Sequence, residues 1–381
     1  MPTDDKARTF IRLPLCAAGL AVAAGLLTAW MGAAQESRQA MELAAPGAQS
    51  EVRIGVLGLF RPQQLRLIAD SELELSIDGQ MRRLAKGEGA TVRLRGGRLE
   101  VQLGADSSAI RVVALRAFAG TIGSATNAPR FWLEVSGKLK RLYAGSLEIR
   151  TRSRVPGPAL EAVVTMPIET AVASVVAAES PPGAALEALK AQAVAARSFL
   201  VARQSGHADF DFCDTTHCQF LRSPPEPGSL ADEATLSTRG LVLSWHDDSA
   251  AKNRTVAAMY ARSCGGRTRT LREAGLPSEG YPYYAVRCIY CSRHPEVWQR
   301  PGKGAPRTEQ ERLSFNRIHG WGAVPSLPAV AADGEIHGRG VGHGIGLCQL
   351  GAAEMARQGA SFAQILAHYY PNTKIAPMVE P

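Results

Sequence analysis

Between His337 and Leu347 every second residue is glycine: Gly338, Gly340, Gly342, Gly344 and Gly346. Glycine loses more backbone freedom on folding than any other residue, so five in so short a run need a geometric reason. In an extended chain the side chains alternate between faces, and this run would present one face with none. Such a face admits another backbone, or a flat ligand such as a sugar ring, at close range. The opposite face carries Arg339, Val341, His343, Ile345 and Leu347, one charge and one titratable ring among apolar neighbours. The spacing excludes two nucleotide-binding motifs. No Gly-x-Gly-x-x-Gly occurs in the run, and no Lys-Ser/Thr follows it. Close packing within the protein is the competing explanation.

The N-terminus reads as a targeting segment. Lys6, Arg8 and Arg12 precede a charge-free stretch of 22 residues, Leu13 to Ala34, that ends in Gly32-Ala33-Ala34. This is the order of a secretory signal peptide, and the stretch is also long enough to stay as a single N-terminal membrane span. Either way the remainder is expected to be exported, in the periplasm, in the cell wall or anchored facing outward. The formal net charge of +8 falls by one when residues 1–34, with three basic and two acidic side chains, are removed. A moderately basic exported surface suits anionic wall polymer or lipid head groups. No aromatic-basic module accompanies the scattered basic residues, which argues against nucleic acid.

Apart from Cys16, the cysteines are Cys213, Cys218, Cys264, Cys288, Cys291 and Cys348, and none lies between 35 and 212. The chain is therefore no disulfide scaffold, and its cysteines belong to a local site or to local staples.

After a small polar linker at 35–50, short alternating runs such as Leu73–Ile77, Thr91–Arg95 and Leu99–Leu103 are separated by Asp-Gly and Gly-Gly turns. They predict a β-rich N-terminal domain over 51–155. Beyond it the pattern turns helical. Ile168, Val172, Val175 and Val176 share one side of a helix ending at Glu179, and Ser180-Pro-Pro182 reads as a stop and a restart, with Ser180 as an N-cap. A second helix is expected from about Ala184 to Gln204. A loop, 206–227, strands near 240–245 and 255–261, and short helices near 350–358 and 362–369 complete a mixed helix/strand domain over 156–376. The fold class is α+β, with a substrate cleft in the second domain.

Glu179 has apolar neighbours, and a carboxyl kept dry can hold a proton for donation. The N-terminus of a following helix would favour the anion instead. Cys213-Asp-Thr-Thr-His217-Cys218 places three good zinc ligands within six residues, with a fourth available among Cys264, Cys288, Cys291 and Cys348. Disulfides compete with metal in an exported chain. His343 fits either a catalytic or a hydrogen-bonded structural role. Tyr369-Tyr370 fits either sugar stacking or the core.

Five segments, in order, resemble the stage II sporulation protein D family, also called the amidase-enhancer family. They are Val175–Pro181, Leu186–Phe199, Asp211–Gln219, Ser263–Thr268 and Gly338–Ala352, the last followed by His368–Pro371, and they span about 145–375. Ser180 stands where the family usually has methionine, and Cys348 where it usually has serine. The resemblance implies a peptidoglycan lytic transglycosylase, with Glu179 as the general acid/base. It also implies a structural zinc on Cys213, His217 and Cys218. Arg339, Gly342, His343, Gly344, Gln349, Tyr369 and Tyr370 are the expected contacts to the glycan strand. A non-catalytic, wall-binding activator of a cell-wall amidase is the alternative the family offers. A zinc hydrolase on the same three ligands is the weakest reading, because catalytic zinc keeps an open water position.

Overall fold

The computed structural model describes residues 51–104, 110–112, 114–119, 128–152, 157–202, 206–302, 304–320 and 322–378. The expected targeting segment and linker lie outside these residues. No described helix is long and apolar enough to cross a membrane.

The chain is α+β, as expected. Among the described residues, two sheets dominate the first part. One has six strands in the order Leu139–Ala144, Arg130–Val135, Gln64–Ala69, Gly89–Arg95, Arg98–Leu103 and Ile110–Val112. The other has seven, running from Gln80–Leu84 and Leu73–Ile77 through Ala114–Ala119, Ser146–Arg152, Ala159–Pro167 and Glu51–Val56 to Phe212–Cys213. The predicted alternation is present: Leu73, Leu75 and Ile77 are buried while Glu74 and Ser76 are half-buried. Apolar residues at period two turn one face of each sheet to the core.

The seven-stranded sheet crosses the expected boundary near residue 155. Ala159–Pro167 lies between Glu51–Val56 and Ser146–Arg152, antiparallel to both, and Phe212–Cys213 joins in parallel at the edge of Glu51–Val56. One continuous apolar core accordingly includes Leu65 and Phe131 from the sheets and Val172, Ala195 and Tyr370 from the later helices.

Pro167 leads directly into the helix Ile168–Glu179, whose Ile168, Val172, Val175 and Val176 are buried. The helix stops because Ser180 precedes Pro181, and the proline ring pushes the residue before it into extended backbone, here at φ −69 and ψ 143. The second helix, Leu186–Val201, is buried nearly all round; its alanines let other helices and the strand Leu241–Asp247 approach closely. Ser180 does not cap it as expected. Ala185 is the N-cap, and the Ser180 hydroxyl is buried without a partner.

The glycine run departs from the extended form. Only Glu335–Arg339 and Leu347–Cys348 are strands, and Gly340, Gly342, Gly344 and Gly346 have φ between 68 and 98. Such backbone is open to glycine and strained for other residues. The run threads past residues 259–269, where Val341 exchanges backbone hydrogen bonds with Ser263 and Arg269 N donates to Gly344 O.

Candidate active site

Glu179 ends its helix with its side chain turned inward. The Phe220 backbone N–H donates to Oε1. Gln349 Nε2 donates to the Glu179 backbone carbonyl at 2.9 Å and to Gln192 Oε1 at 3.3 Å. Tyr260 Oη is buried without a hydrogen bond of ordinary geometry, yet lies near enough to Glu179 and Gln192 to influence the carboxyl. Burial pushes the carboxyl up from 4.5 to about 7, against the lowering effect of the Phe220 amide and the Tyr260 hydroxyl. Among the described residues no other charge contributes. The competing pull expected from the next helix is weak, since that helix starts at Leu186, seven residues on. The end of its own helix, where the dipole is negative, also disfavours a carboxylate.

Ser180 Oγ, Gln192 Nε2, Gln219 Oε1 and Tyr260 Oη are all buried without a hydrogen bond of ordinary geometry. Ser180 follows Glu179 in the chain, Gln219 precedes Phe220, and Gln192 shares the Gln349 amide. Unpaired buried polar atoms are uncommon, because each carries a desolvation penalty of about 1–3 kcal/mol. Four such atoms lie within one or two links of the Glu179 carboxyl.

The loop that supplies Phe220 is held by the sheets. Asp214 Oδ2 accepts from Leu57 N and from Arg141 Nη1, both at 3.1 Å, and from the Tyr143 hydroxyl at 3.4 Å. Arg141 also donates to Leu221 O at 2.9 Å. The β-rich part thus helps to fix the loop on which the carboxyl depends.

Cys213, His217 and Cys218 come together as expected: Cys213 Sγ to Cys218 Sγ is 3.5 Å and Cys218 Sγ to His217 Nδ1 is 3.5 Å. The fourth potential ligand is His207, with Nε2 3.2 Å from Cys218 Sγ, and all four donor atoms lie within 4.8 Å of one another. This corrects the expectation of a cysteine from 264–348. All six described cysteines are free thiols. Two thiolates and two imidazoles are a suitable closed donor set for structural zinc. His207 lies in the same loop, six residues before Cys213, so spacing alone offered it.

The expected substrate contacts divide. Arg339 is exposed and lines a depression of about 940 Å³ with Arg267, Trp298 and His337; Glu179 is not among its lining residues. Gly342 and Gly344 face the protein itself. A β-carbon on Gly342 would lie 2.9 Å from the Ala261 β-carbon, and one on Gly344 would lie 3.4 Å from Arg269 Cδ. The bare-face reading gives way to close packing at both. His343 Nδ1 accepts from Ile345 N at 3.0 Å and its ring is held against the Tyr260 carbonyl. Burial lowers it to about 4, so it is neutral and positions Tyr260. Gln349 is buried against the Glu179 backbone.

Tyr369 and Tyr370, at 1% and 0% exposure, are core residues. Their hydroxyls bond to Cys288 Sγ and Met259 O, which leaves no ring face for a sugar. Gln192 and Asp214 lie within the resembling segments Leu186–Phe199 and Asp211–Gln219 but, like Tyr260, are not singled out by the sequence, because each acquires its place only from distant contacts.

Residues 157–245 match the family described as "Stage II sporulation protein". That span holds Glu179, both long helices and the Cys213–Cys218 loop. The chain is 26% identical over 275 residues to stage II sporulation protein D of Bacillus amyloliquefaciens, covering 56% of this chain and 75% of that protein. It is 25% identical over 275 residues to the protein of the same name from Bacillus subtilis, covering 57% and 76%. An uncharacterized protein of Brachyspira hyodysenteriae is 25% identical over 251 residues, 55% of this chain and 66% of that one. Residues 157–245 are thus similar to the stage II sporulation protein family, and the chain is similar over more than half its length to two proteins named stage II sporulation protein D.

Proposed function

We propose that the protein is an exported peptidoglycan lytic transglycosylase in which Glu179 is the general acid/base. The family link supports a role at the cell wall. The observation that carries the finer reading is a carboxyl pushed up to about 7 by burial, with Oε1 fixed by the Phe220 amide and no second carboxylate among the described residues influencing it. Ordinary glycosidases need two carboxylates, an acid and a nucleophile or base. A transglycosylase needs one.

Glu179 gives its proton to the glycosidic oxygen as the bond from the N-acetylmuramic acid anomeric carbon to N-acetylglucosamine breaks. The sugar's own 6-hydroxyl attacks that carbon and returns its proton to the Glu179 carboxylate. The product is a 1,6-anhydro sugar, no water is consumed, and the acid is restored. Because attack is intramolecular, positioning supplies much of the rate. The unpaired Ser180, Gln192, Gln219 and Tyr260 groups are suited to hydrogen-bonding sugar hydroxyl and acetamido groups. Zinc on His207, Cys213, His217 and Cys218 would supply a cross-link for the loop that ends at Phe220, and the chemistry itself asks nothing of it.

The test is mass spectrometry of products from purified, peptide-free glycan strands. Anhydro-ended fragments from the wild type, and at least ~100-fold fewer from Glu179→Gln, are expected. Binding without any cleavage by the folded wild type would favour the amidase-activating alternative instead.

A further inference from the structure

Among the described residues, the four cysteines that do not join the first cluster form one of their own. Cys264, Cys288, Cys291 and Cys348 come from three separate stretches of chain, yet all four sulfurs lie within 4.8 Å of one another. Cys291 Sγ and Cys348 Sγ are 3.5 Å apart. We propose that these residues form a second metal centre, a buried tetrathiolate site for one zinc ion, separate from the site at His207, Cys213, His217 and Cys218.

Geometry separates this from two disulfides. Disulfide sulfurs are ~2.05 Å apart, and one bonded pair has no need to approach the other. A tetrahedral ion with bonds of ~2.3 Å holds all its sulfurs about 3.8 Å apart, a mutual closeness like the one found here. Four thiols also satisfy the full coordination of zinc, leaving no position for water, as a structural site requires.

The surroundings are built for thiolates. Cys348 caps the helix Gln349–Arg357, its sulfur accepting from Gly351 N at 3.5 Å. Cys288 precedes the helix Ile289–Arg293 and accepts from the Tyr369 hydroxyl at 3.5 Å. The Ser263 hydroxyl lies 3.6 Å from Cys291 Sγ. Hydrogen bonds to ligand sulfurs orient them. After Cys264 the chain turns through Gly265 and Gly266 at φ 70 and 127, conformations that suit glycine. Even the packing leaves no spare room. A β-carbon on Gly351 would lie 2.5 Å from Cys288 Sγ and 2.0 Å from the Tyr369 hydroxyl.

The centre ties residues 264, 288–291 and 348 into one unit, and Cys348 is followed by Gln349, which holds the Glu179 backbone. The site stands on its own ligands and holds whether or not Glu179 cleaves glycan.

Elemental analysis of the full chain, purified without added metal, should give two zinc ions per molecule. Cys348→Ser should lower this to one, and so should Cys213→Ser combined with His217→Ala. One zinc in the wild type that survives Cys348→Ser would overturn the proposal. Should the variants fail to fold, thiol counting on denatured, chelated, unreduced wild type decides. Cys16 aside, six reactive thiols are expected, whereas two, with Cys264, Cys288, Cys291 and Cys348 recovered in disulfide-linked peptides, would also overturn it.

Discussion

The two sulfur-rich clusters reach the same glutamate by different routes. The first is local, with every potential ligand between His207 and Cys218 in one loop, His217 exposed and the other three half-buried. It is followed by Gln219 and then by Phe220, whose amide holds the Glu179 carboxyl. The second gathers residues from Cys264 to Cys348, three of its four members buried, and is followed at once by Gln349, whose amide holds the Glu179 backbone. One cluster adjoins the residue that holds the proton-bearing group and the other the residue that holds its backbone. A carboxyl without a partner charge needs its position fixed by other means, and the two proposed metal cross-links would supply that function.

The largest effect tests the point at which the routes meet. Glu179→Gln removes the proton with little change in volume and should lower turnover by ~10²–10⁴-fold. Metal content at both clusters should be unchanged, because neither uses the carboxyl as a ligand. Release of anhydro-sugar at the wild-type rate would remove Glu179 from the chemistry.

A second experiment sets the clusters against each other. The local one closes a loop of 12 residues, 207–218, and the other a span of 85 residues, 264–348. Cross-links stabilise more as the loop lengthens, by roughly 3 kcal/mol near 15 residues and about 4.7 kcal/mol near 100. Cys288→Ser should therefore cost more stability in urea denaturation than His207→Ala, by about 1–2 kcal/mol. Buried thiols left without an ion add to the difference. An equal or reversed order would mean that the second cluster does not act as a cross-link.

How far the sequence disclosed these features follows the same division. The strands at 73–77, 89–95 and 98–103, the helix ending at Glu179 and the cluster at 213–218 rest on periodicity or spacing within a few residues, and all were legible. The second cluster was not, because its ligands meet only after segments far apart in the chain pack together. The glycine run misled for a related reason. Alternate glycines fit a flat strand, but the same residues also fit positive φ, and only Ala261, Ser263 and Arg269, which pack against the run, show which applies. Likewise the sheet through Ala159–Pro167 joins what composition separates near residue 155.

The pH response separates the carboxyl from its supports. Glu179 is raised from 4.5 to about 7, so the folded state keeps a proton that the unfolded chain releases. Its stabilising contribution is full below about pH 4.5 and is lost as pH rises through about 7. Each tenfold difference in proton affinity between the folded and unfolded states is worth about 1.4 kcal/mol. Relative to Glu179→Gln, the wild type should therefore lose on the order of 2–3 kcal/mol between about pH 4 and 8. Asp214, raised to about 6, pulls the same way in both proteins and cancels in the difference. Turnover should fall above pH 7 as the acid ionises. A difference in melting temperature that stays flat across this range would mean that the carboxyl is not kept dry.

The smallest effect distinguishes glycines that serve the backbone from any that face a ligand. At Gly346 a β-carbon would lie 2.0 Å from the Met259 carbonyl oxygen, rigid backbone that pairs with Leu347 and Tyr370. At Gly344 it would meet the Arg269 side chain at 3.4 Å, which can give way. Both sites have positive φ, so each alanine carries a strain of about 1 kcal/mol or more. Gly346→Ala adds a clash and should cost about 3 kcal/mol, at the upper end for overpacking, whereas Gly344→Ala should cost about 1 kcal/mol. Since both β-carbons point into the protein, a folded Gly344→Ala should keep the wild-type KM for glycan. If KM rises while the melting temperature holds, Gly344 lines the ligand after all, and the run has a second face that the packing against Arg269 does not fill.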